Sequence, residues 1–232
     1  MATPKMVPEF LVGLWHRDYI KRANKNKEDG IFGPPQTNVQ VWYLQTPFAF
    51  IDVRREPGTT KDAMAFAGVT TVELTDPPLV KWHACLDLDP LSDSAERWEQ
   101  ADKATPKLTE DEGFFTRLKE NLYRETDPAK TLEEQWAKQH DGNKRLLAVR
   151  RDTSLFVVVG DHFGYAAQGG SNGNDQASPQ FLAGHVEDWK VAISPSHLEL
   201  EGSSFSLPGK QDDWHLLPGS TLELGSLDIL FR

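Results

Sequence analysis

Short runs of alternating apolar and polar residues, separated by turn-forming residues, constrain the fold of this chain most strongly. In the clearest run, residues 79–89, five apolar side chains share one parity: Val80, Trp82, Ala84, Leu86 and Leu88. Because successive side chains of a strand point to opposite faces, this pattern predicts a strand with one apolar face. The other parity places His83 and Asp87 together on the polar face.

Similar strand-length runs recur along the chain, and Gly, Pro, Asn and Asp separate them. Many short strands with such turns are typical of barrels and sandwiches, not of a parallel α/β sheet. We therefore predict a mainly β protein made of two barrel or half-barrel domains. The first domain covers residues 37–140 and the second covers 141–232, with a joint at Asp141-Gly142-Asn143.

The N-terminal region, residues 1–36, is predicted to be a helix followed by a connector. Within residues 7–27, Leu14 and Trp15 follow Leu11 by three and four residues, the spacing of one face of a helix. Gly30 and the Gly33–Pro35 run would end this helix.

Composition narrows the function classes. Lys and Arg number 25 against 35 Asp and Glu, a formal net charge of −10, which disfavours nucleic acid and anionic membranes as partners. Cys85 is the single cysteine, as in proteins of a reducing compartment. The sequence shows no signal peptide and no long apolar stretch, so we expect a cytoplasmic protein, with the nucleus as an alternative or additional compartment.

An aromatic-rich ligand cavity is the first functional prediction. The chain has seven Trp and twelve Phe, residue types that suit strands and the walls of apolar pockets. In the run Phe48–Arg55, period-two alternation places Phe50, Asp52 and Arg54 on one face. Arg54 can hold a ligand carboxylate through two parallel hydrogen bonds, or form an ion pair with Asp52. The other candidates for the cavity wall are Trp42, Trp82 and Tyr165.

Acid/base chemistry is the second possibility. Asp161 and His162 interrupt an apolar run, where charged side chains are costly unless they are hydrogen-bonded. His162 could act as a general base, with His83 and Asp161 completing the polar set. Adjacent strand residues point to opposite faces, so a purely structural role for both is the alternative. The His and Cys residues show no metal-binding spacing, and neither a metal nor a cofactor is expected.

Several segments, in this order, resemble the Hri family of fungal proteins that associate with a casein-kinase-one homologue. They are Ile51-Asp52-Val53-Arg54, Met64-Ala65-Phe66-Ala67-Gly68, Lys81-Trp82-His83, Glu133-Glu134-Gln135-Trp136 and Val157-Val158-Val159-Gly160. The resemblance implies two lipocalin-like domains in a soluble protein, with no catalytic residues to transfer.

Three functions are thus expected. The first is binding of a small, largely apolar ligand, with or without a carboxylate, in a barrel. The alternatives are a cofactor-free isomerase, cyclase or lyase, and an adaptor that binds a protein partner.

Overall fold

A closed barrel and an open sheet, both antiparallel, form the fold. The computed structural model describes residues 6–23, 32–59, 63–87, 110–140, 145–168, 180–195, 200–223 and 230. The barrel strands are β1 (Gly13–Arg22), β2 (Gln40–Gln45), β3 (Ala49–Arg55), β4 (Met64–Glu73), β5 (Leu79–Asp87), β6 (Glu110–Lys119), β7 (Leu122–Thr126) and β8 (Leu132–His140). Each strand pairs with the next, and β8 pairs with β1 to close the barrel. The prediction of a mainly β fold with a barrel is confirmed.

The predicted N-terminal helix is wrong. Residues 13–22 form β1, the strand that closes the barrel between β2 and β8, while residues 24–27 lie outside the described part of the chain. The pairing of β1 with β8 shifts register twice, between Leu14 and Trp15 and again between Arg17 and Tyr19. The first shift breaks the strict alternation and leaves both Leu14 and Trp15 buried, while Leu11 lies in the turn before β1, so a turn and a bulge together gave the apolar spacing of a helix.

The second sheet contains six strands in the order β13-β12-β11-β10-β9-β14 and is not closed by the described residues. Its strands are β9 (Leu146–Arg151), β10 (Ser154–Val159), β11 (His162–Ala167), β12 (Gln180–His185), β13 (Lys190–Ile193) and β14 (His215–Leu216). A short 3-10 helix, Gln211–Asp213, precedes β14. The predicted joint at residues 141–143 lies outside the described residues, between the end of β8 and the start of β9. No described helix is long and apolar enough to cross a membrane.

The second sheet packs one face against the barrel. Leu155, Val157 and Val159 of β10 belong to the same core cluster as the barrel residues, while Phe156 and Val158 belong to a separate cluster on the opposite face. Because β10 is buried on both faces, its sequence is a continuous apolar run without alternation.

The two sheets come close together where β11 packs against β3. A Cβ atom added at Gly164 would lie 3.3 Å from three carbon atoms of Ile51, so the absence of a side chain at this position lets the sheets approach. Nearby, the Arg55 guanidinium of β3 pairs with the carboxylate of Glu201, which also accepts the Ser194 amide at 3.1 Å.

A bulge in β5 changes which side chains enter the barrel. Gly68 of β4 pairs with Ala84 and Ala67 pairs with Leu86, so Cys85 is the extra residue. A Cβ at Gly68 would lie 2.0 Å from the His83 carbonyl oxygen, and therefore only glycine fits there. After the bulge, Asp87 has the inward orientation that strict alternation would deny it.

Candidate functional site

The barrel encloses a cavity of about 320 Å³ lined mainly by aromatic side chains. Six of the twelve lining residues are aromatic: Tyr43, Phe50, Phe66, Trp82, Phe115 and Trp136. Five carry a carboxylate or guanidinium group, and Ala84 is the smallest. These five are Asp52, Arg54, Asp87, Asp111 and Glu125. A concave, largely aromatic surface with a few convergent polar groups is typical of a small-molecule site.

A hydrogen-bonded network around Tyr43 fixes one side of the cavity. The Trp82 indole donates to the Tyr43 hydroxyl at 2.9 Å, and Tyr43 in turn donates to the side-chain oxygen of Gln45. That oxygen also accepts the Thr70 hydroxyl at 2.7 Å, and the Gln45 amide donates to the Ala49 carbonyl at 3.2 Å. Every one of these polar groups has a partner, so this part of the wall is preorganised. Burial raises the pKa of Tyr43, which keeps its hydroxyl protonated.

Arg54 is held inside the barrel by carboxylates of the protein itself. Its Nε lies 3.0 Å from both carboxylate oxygens of Asp52, and its Nη2 lies 2.6 Å from Oδ2. Glu134 lies 4.0 Å from the same guanidinium and 2.6 Å from the guanidinium of Arg17. Burial alone would lower the pKa of Arg54, but the charges of Asp52 and Glu134 raise it above its ordinary value, so Arg54 stays charged.

Glu125 is a buried acid without an ion pair among the described residues. The side chain points inward from β7, is 5% exposed, and accepts the Trp136 indole at 2.8 Å through Oε2. Burial raises the pKa of its carboxyl well above the ordinary 4.5, and the negative charges of Glu134 and Asp111 raise it further. Asp111, at the start of β6, is exposed along part of its surface, yet partial burial of its carboxyl also raises its pKa.

The structure brings together four of the predicted ligand-binding residues. Phe50, Asp52 and Arg54 face the cavity from β3, as their alternation predicts, and Trp82 faces it from β5. Asp52 and Arg54 form the ion pair that the sequence analysis gave as one alternative. Tyr165, in contrast, lies in the core cluster on the far face of the second sheet, where its ring packs 5.3 Å from that of Phe205.

Trp42 points away from the cavity into a group of histidines between barrel and second sheet. The centroid of its ring lies 5.5 Å from that of His16, 5.6 Å from that of His162 and 5.4 Å from that of His185. The ring centroids of His162 and His185 are 5.0 Å apart. Burial lowers the pKa of His16, although the charge of Asp18 opposes this shift. Over the described ranges, no group of three such side chains has a geometry that could hold a metal ion.

The residues predicted for acid/base catalysis do not meet. Asp161 lies in the turn between β10 and β11, not within a strand, and pairs at the surface with Arg145 at 3.5 Å. His162 contacts Trp42 outside the barrel. His83 is buried and hydrogen-bonds with the Thr71 hydroxyl at 2.8 Å. None of the three is among the residues that line the cavity.

Of the acids that line the cavity, sequence reasoning identified Asp52 and missed Asp87, Asp111 and Glu125. Glu125 follows the inward Tyr123 by two residues, and Glu134 precedes Trp136 by two, so alternation could have paired each acid with an aromatic neighbour. Asp87 could not be found in this way, because the bulge at Cys85 reverses its orientation.

Comparisons with family models, with curated proteins and with solved structures give no significant match to this chain. The resemblance to the Hri family, and the lipocalin-like character that it implies, therefore stay predictions.

Proposed function

We propose that the protein binds a small, largely apolar molecule inside the barrel. The observation that supports this most strongly is the cavity of about 320 Å³ with six aromatic residues in its wall. A volume of this order is in the range of small-molecule sites, about 300–1,000 Å³, whereas packed protein cores leave few voids larger than a water molecule.

The wall of the cavity also favours binding. The fork between Arg54 and Asp52 and the network around Tyr43 hold these side chains in place before any ligand arrives. A preorganised wall reduces the entropy lost on binding.

The alternative ligand, one with a carboxylate held by Arg54, has less support. The Asp52 carboxylate already occupies the fork of the guanidinium, and three further acids line the cavity. A ligand carboxylate would have to displace Asp52 and would be repelled by the remaining acids.

The enzyme alternative lacks the geometry first expected for it, because His83, Asp161 and His162 do not line the cavity. An acid/base reaction in this cavity would have to use the acids that line it, such as Glu125 and Asp111. The adaptor alternative stays a prediction, with no described surface that favours it over binding in the barrel.

Fluorescence titration with the neutral, apolar probe N-phenyl-1-naphthylamine tests the proposal. Probe fluorescence should rise on binding to the wild type, and Ala84→Phe should suppress the rise because it fills the cavity. Ala137→Phe is the matched control, since Ala137 adjoins the inward Trp136 on β8 and points outward. Thermal unfolding of each variant verifies that it folds. Equal binding by both variants, or no binding by the wild type, would contradict the proposal.

A further inference from the structure

We propose that the ligand of this cavity is an organic cation, a protonated amine attached to an aromatic or apolar group. The inference rests on the proposed function, because it names the ligand class for the same cavity. It follows from the charges, from the aromatic wall and from Glu125, a buried acid without an ion pair among the described residues.

The charge balance of the cavity is negative. Among the described residues that line it, four are acids and one, Arg54, is a cation, and Asp52 already neutralises Arg54 through two parallel hydrogen bonds. The second guanidinium nearby, that of Arg17, is held at 2.6 Å by Glu134. Ionisation of the lining acids therefore gives an excess of negative charge in a partly desolvated space, which attracts a cation and repels an anion.

Glu125 provides the contact that the ligand would make. It is 95% buried, its Oε2 accepts the Trp136 indole, and no described residue donates to its Oε1. A Cβ at Gly113 would lie 2.6 Å from Oε1, so a glycine on the neighbouring strand leaves room for this carboxyl group. A carboxylate buried without a counter-ion is unfavourable, and a ligand ammonium would supply the missing charge.

The aromatic wall fits the same ligand. The faces of indole and phenyl rings attract cations through their quadrupoles, most strongly in places that exclude water. The protein already uses this interaction here, since the Arg54 guanidinium lies 5.7 Å from the Phe66 ring centroid and 6.0 Å from that of Trp136. Trp82 and Phe115, whose ring centroids are 5.8 Å apart, lie on the cavity wall as well.

Binding of a cation should depend on pH. The raised pKa of Glu125 means that its carboxyl group holds a proton in the empty cavity at pH values where an exposed glutamate has lost it. A ligand ammonium would favour the ionised form, so binding releases this proton and strengthens as pH rises. The charged and titratable groups that face the site are Asp52 and Arg54 on β3, Tyr43 on β2, Asp87 on β5, Asp111 on β6, and Glu134 on β8 with its partner Arg17 on β1.

Three indole probes of similar shape and different charge test the inference by calorimetry. They are tryptamine, which is cationic, 3-propylindole, which is neutral, and indole-3-propionate, which is anionic. At pH 8 the affinity for tryptamine should exceed the affinity for either other probe by about tenfold or more, as expected for a charge-assisted contact. The preference should decrease toward pH 5, where the tryptamine amine is still protonated.

Two variants test whether Glu125 is the residue that contacts the ligand ammonium. Glu125→Gln should reduce the tryptamine preference to within about threefold of the neutral probe, as loss of the charge-assisted contact implies. Glu133→Gln should leave the preference intact, because Glu133 lies on the outer face of β8 with Tyr19 and Lys21. An equal loss in both variants would overturn the assignment of the contact to Glu125.

The outcomes separate the two proposals. If N-phenyl-1-naphthylamine or 3-propylindole binds and Ala84→Phe prevents it, but tryptamine binds no better, the cation inference is overturned and binding in the barrel stands. If no probe binds, both proposals are contradicted.

Discussion

The guanidinium of Arg54 donates hydrogen bonds through Nε and Nη2 to the carboxylate of Asp52, which lies two residues earlier on the same face of β3. The two side chains are 15% and 6% exposed, so this ion pair lies largely inside the barrel. A pair in this position shapes the cavity and neutralises Arg54, the one cation among the described residues that line it.

Removing the charge of Asp52 should destabilise the protein. Asp52→Asn leaves Arg54 buried with Glu134 as its remaining ion-pair partner among the described residues, at 4.0 Å, and breaking such a pair costs about 3 kcal/mol. Asp18→Asn is the matched control, because Asp18 is exposed and accepts a hydrogen bond from the Gln135 side chain. Urea denaturation gives the free energy of unfolding of each variant. Equal stability of the two variants would show that Arg54 does not depend on Asp52.

Replacing Glu125 should stabilise the protein at high pH. Its pKa is raised on folding, so the folded protein holds a proton that the unfolded chain releases, and stability falls as pH rises from about 4.5 through the raised pKa. Glu125→Gln removes this loss, and its free energy of unfolding should exceed that of the wild type at pH 8 by on the order of 1 kcal/mol or more.

The difference between Glu125→Gln and the wild type should shrink toward pH 4, where both states of the wild type are protonated. Denaturation between pH 4 and pH 8 measures it, with the exposed Glu120→Gln as the control. A difference that is constant over this range would contradict the assignment of the titration to Glu125.

Adding one methyl group at Gly68 should disrupt the bulge of β5. The new Cβ would lie 2.0 Å from the backbone oxygen of His83, which cannot move without breaking the pairing of β4 and β5. We expect Gly68→Ala to lose about 2–3 kcal/mol of stability or to fail to fold. Gly33→Ala meets only an ordinary contact at 3.5 Å and should cost much less. Thermal unfolding of the two variants compares them, and equal melting temperatures would contradict the account of the bulge.

The contact between Gly164 and Ile51 should show energetic coupling. Gly164→Val adds three carbon atoms where a Cβ already lies 3.3 Å from Ile51, and should destabilise the protein by about 1–3 kcal/mol. Ile51→Ala creates space on the barrel side, so the double variant should be more stable than the sum of the two single effects predicts. A double-mutant cycle measures this coupling. Strict additivity would mean that the two sheets do not pack at this point.

Alternation within single strands predicted more of the site than any motif. It placed Phe50, Asp52 and Arg54 on one face correctly because β3 has no bulge. It failed for Asp87, where Cys85 is an extra residue, and it gave a helix in place of β1, where two register shifts occur. Bulges depend on the pairing with a neighbouring strand, which a single run of sequence does not contain.

The position of each strand relative to the cavity was the second feature that the sequence pattern did not predict. Alternation gives two faces of a strand but does not say which face meets the cavity, and Trp42 and Tyr165 were assigned to the wrong side. Tyr165 belongs to a sheet that packs outside the barrel, and Trp42 points toward that sheet. The acids Glu125 and Asp111 lie on β7 and β6, in segments for which the sequence pattern predicted no strand.

The most direct test of binding in the barrel is the set of tryptophan indole signals in a proton–nitrogen NMR spectrum of the protein titrated with 3-propylindole. Trp82 and Trp136 line the cavity, whereas Trp189 and Trp214 belong to the far face of the second sheet. We predict that the Trp82 and Trp136 signals shift with saturation while those of Trp189 and Trp214 stay in place. Shifts confined to Trp189 and Trp214, or no shift at any indole, would contradict ligand binding in the barrel.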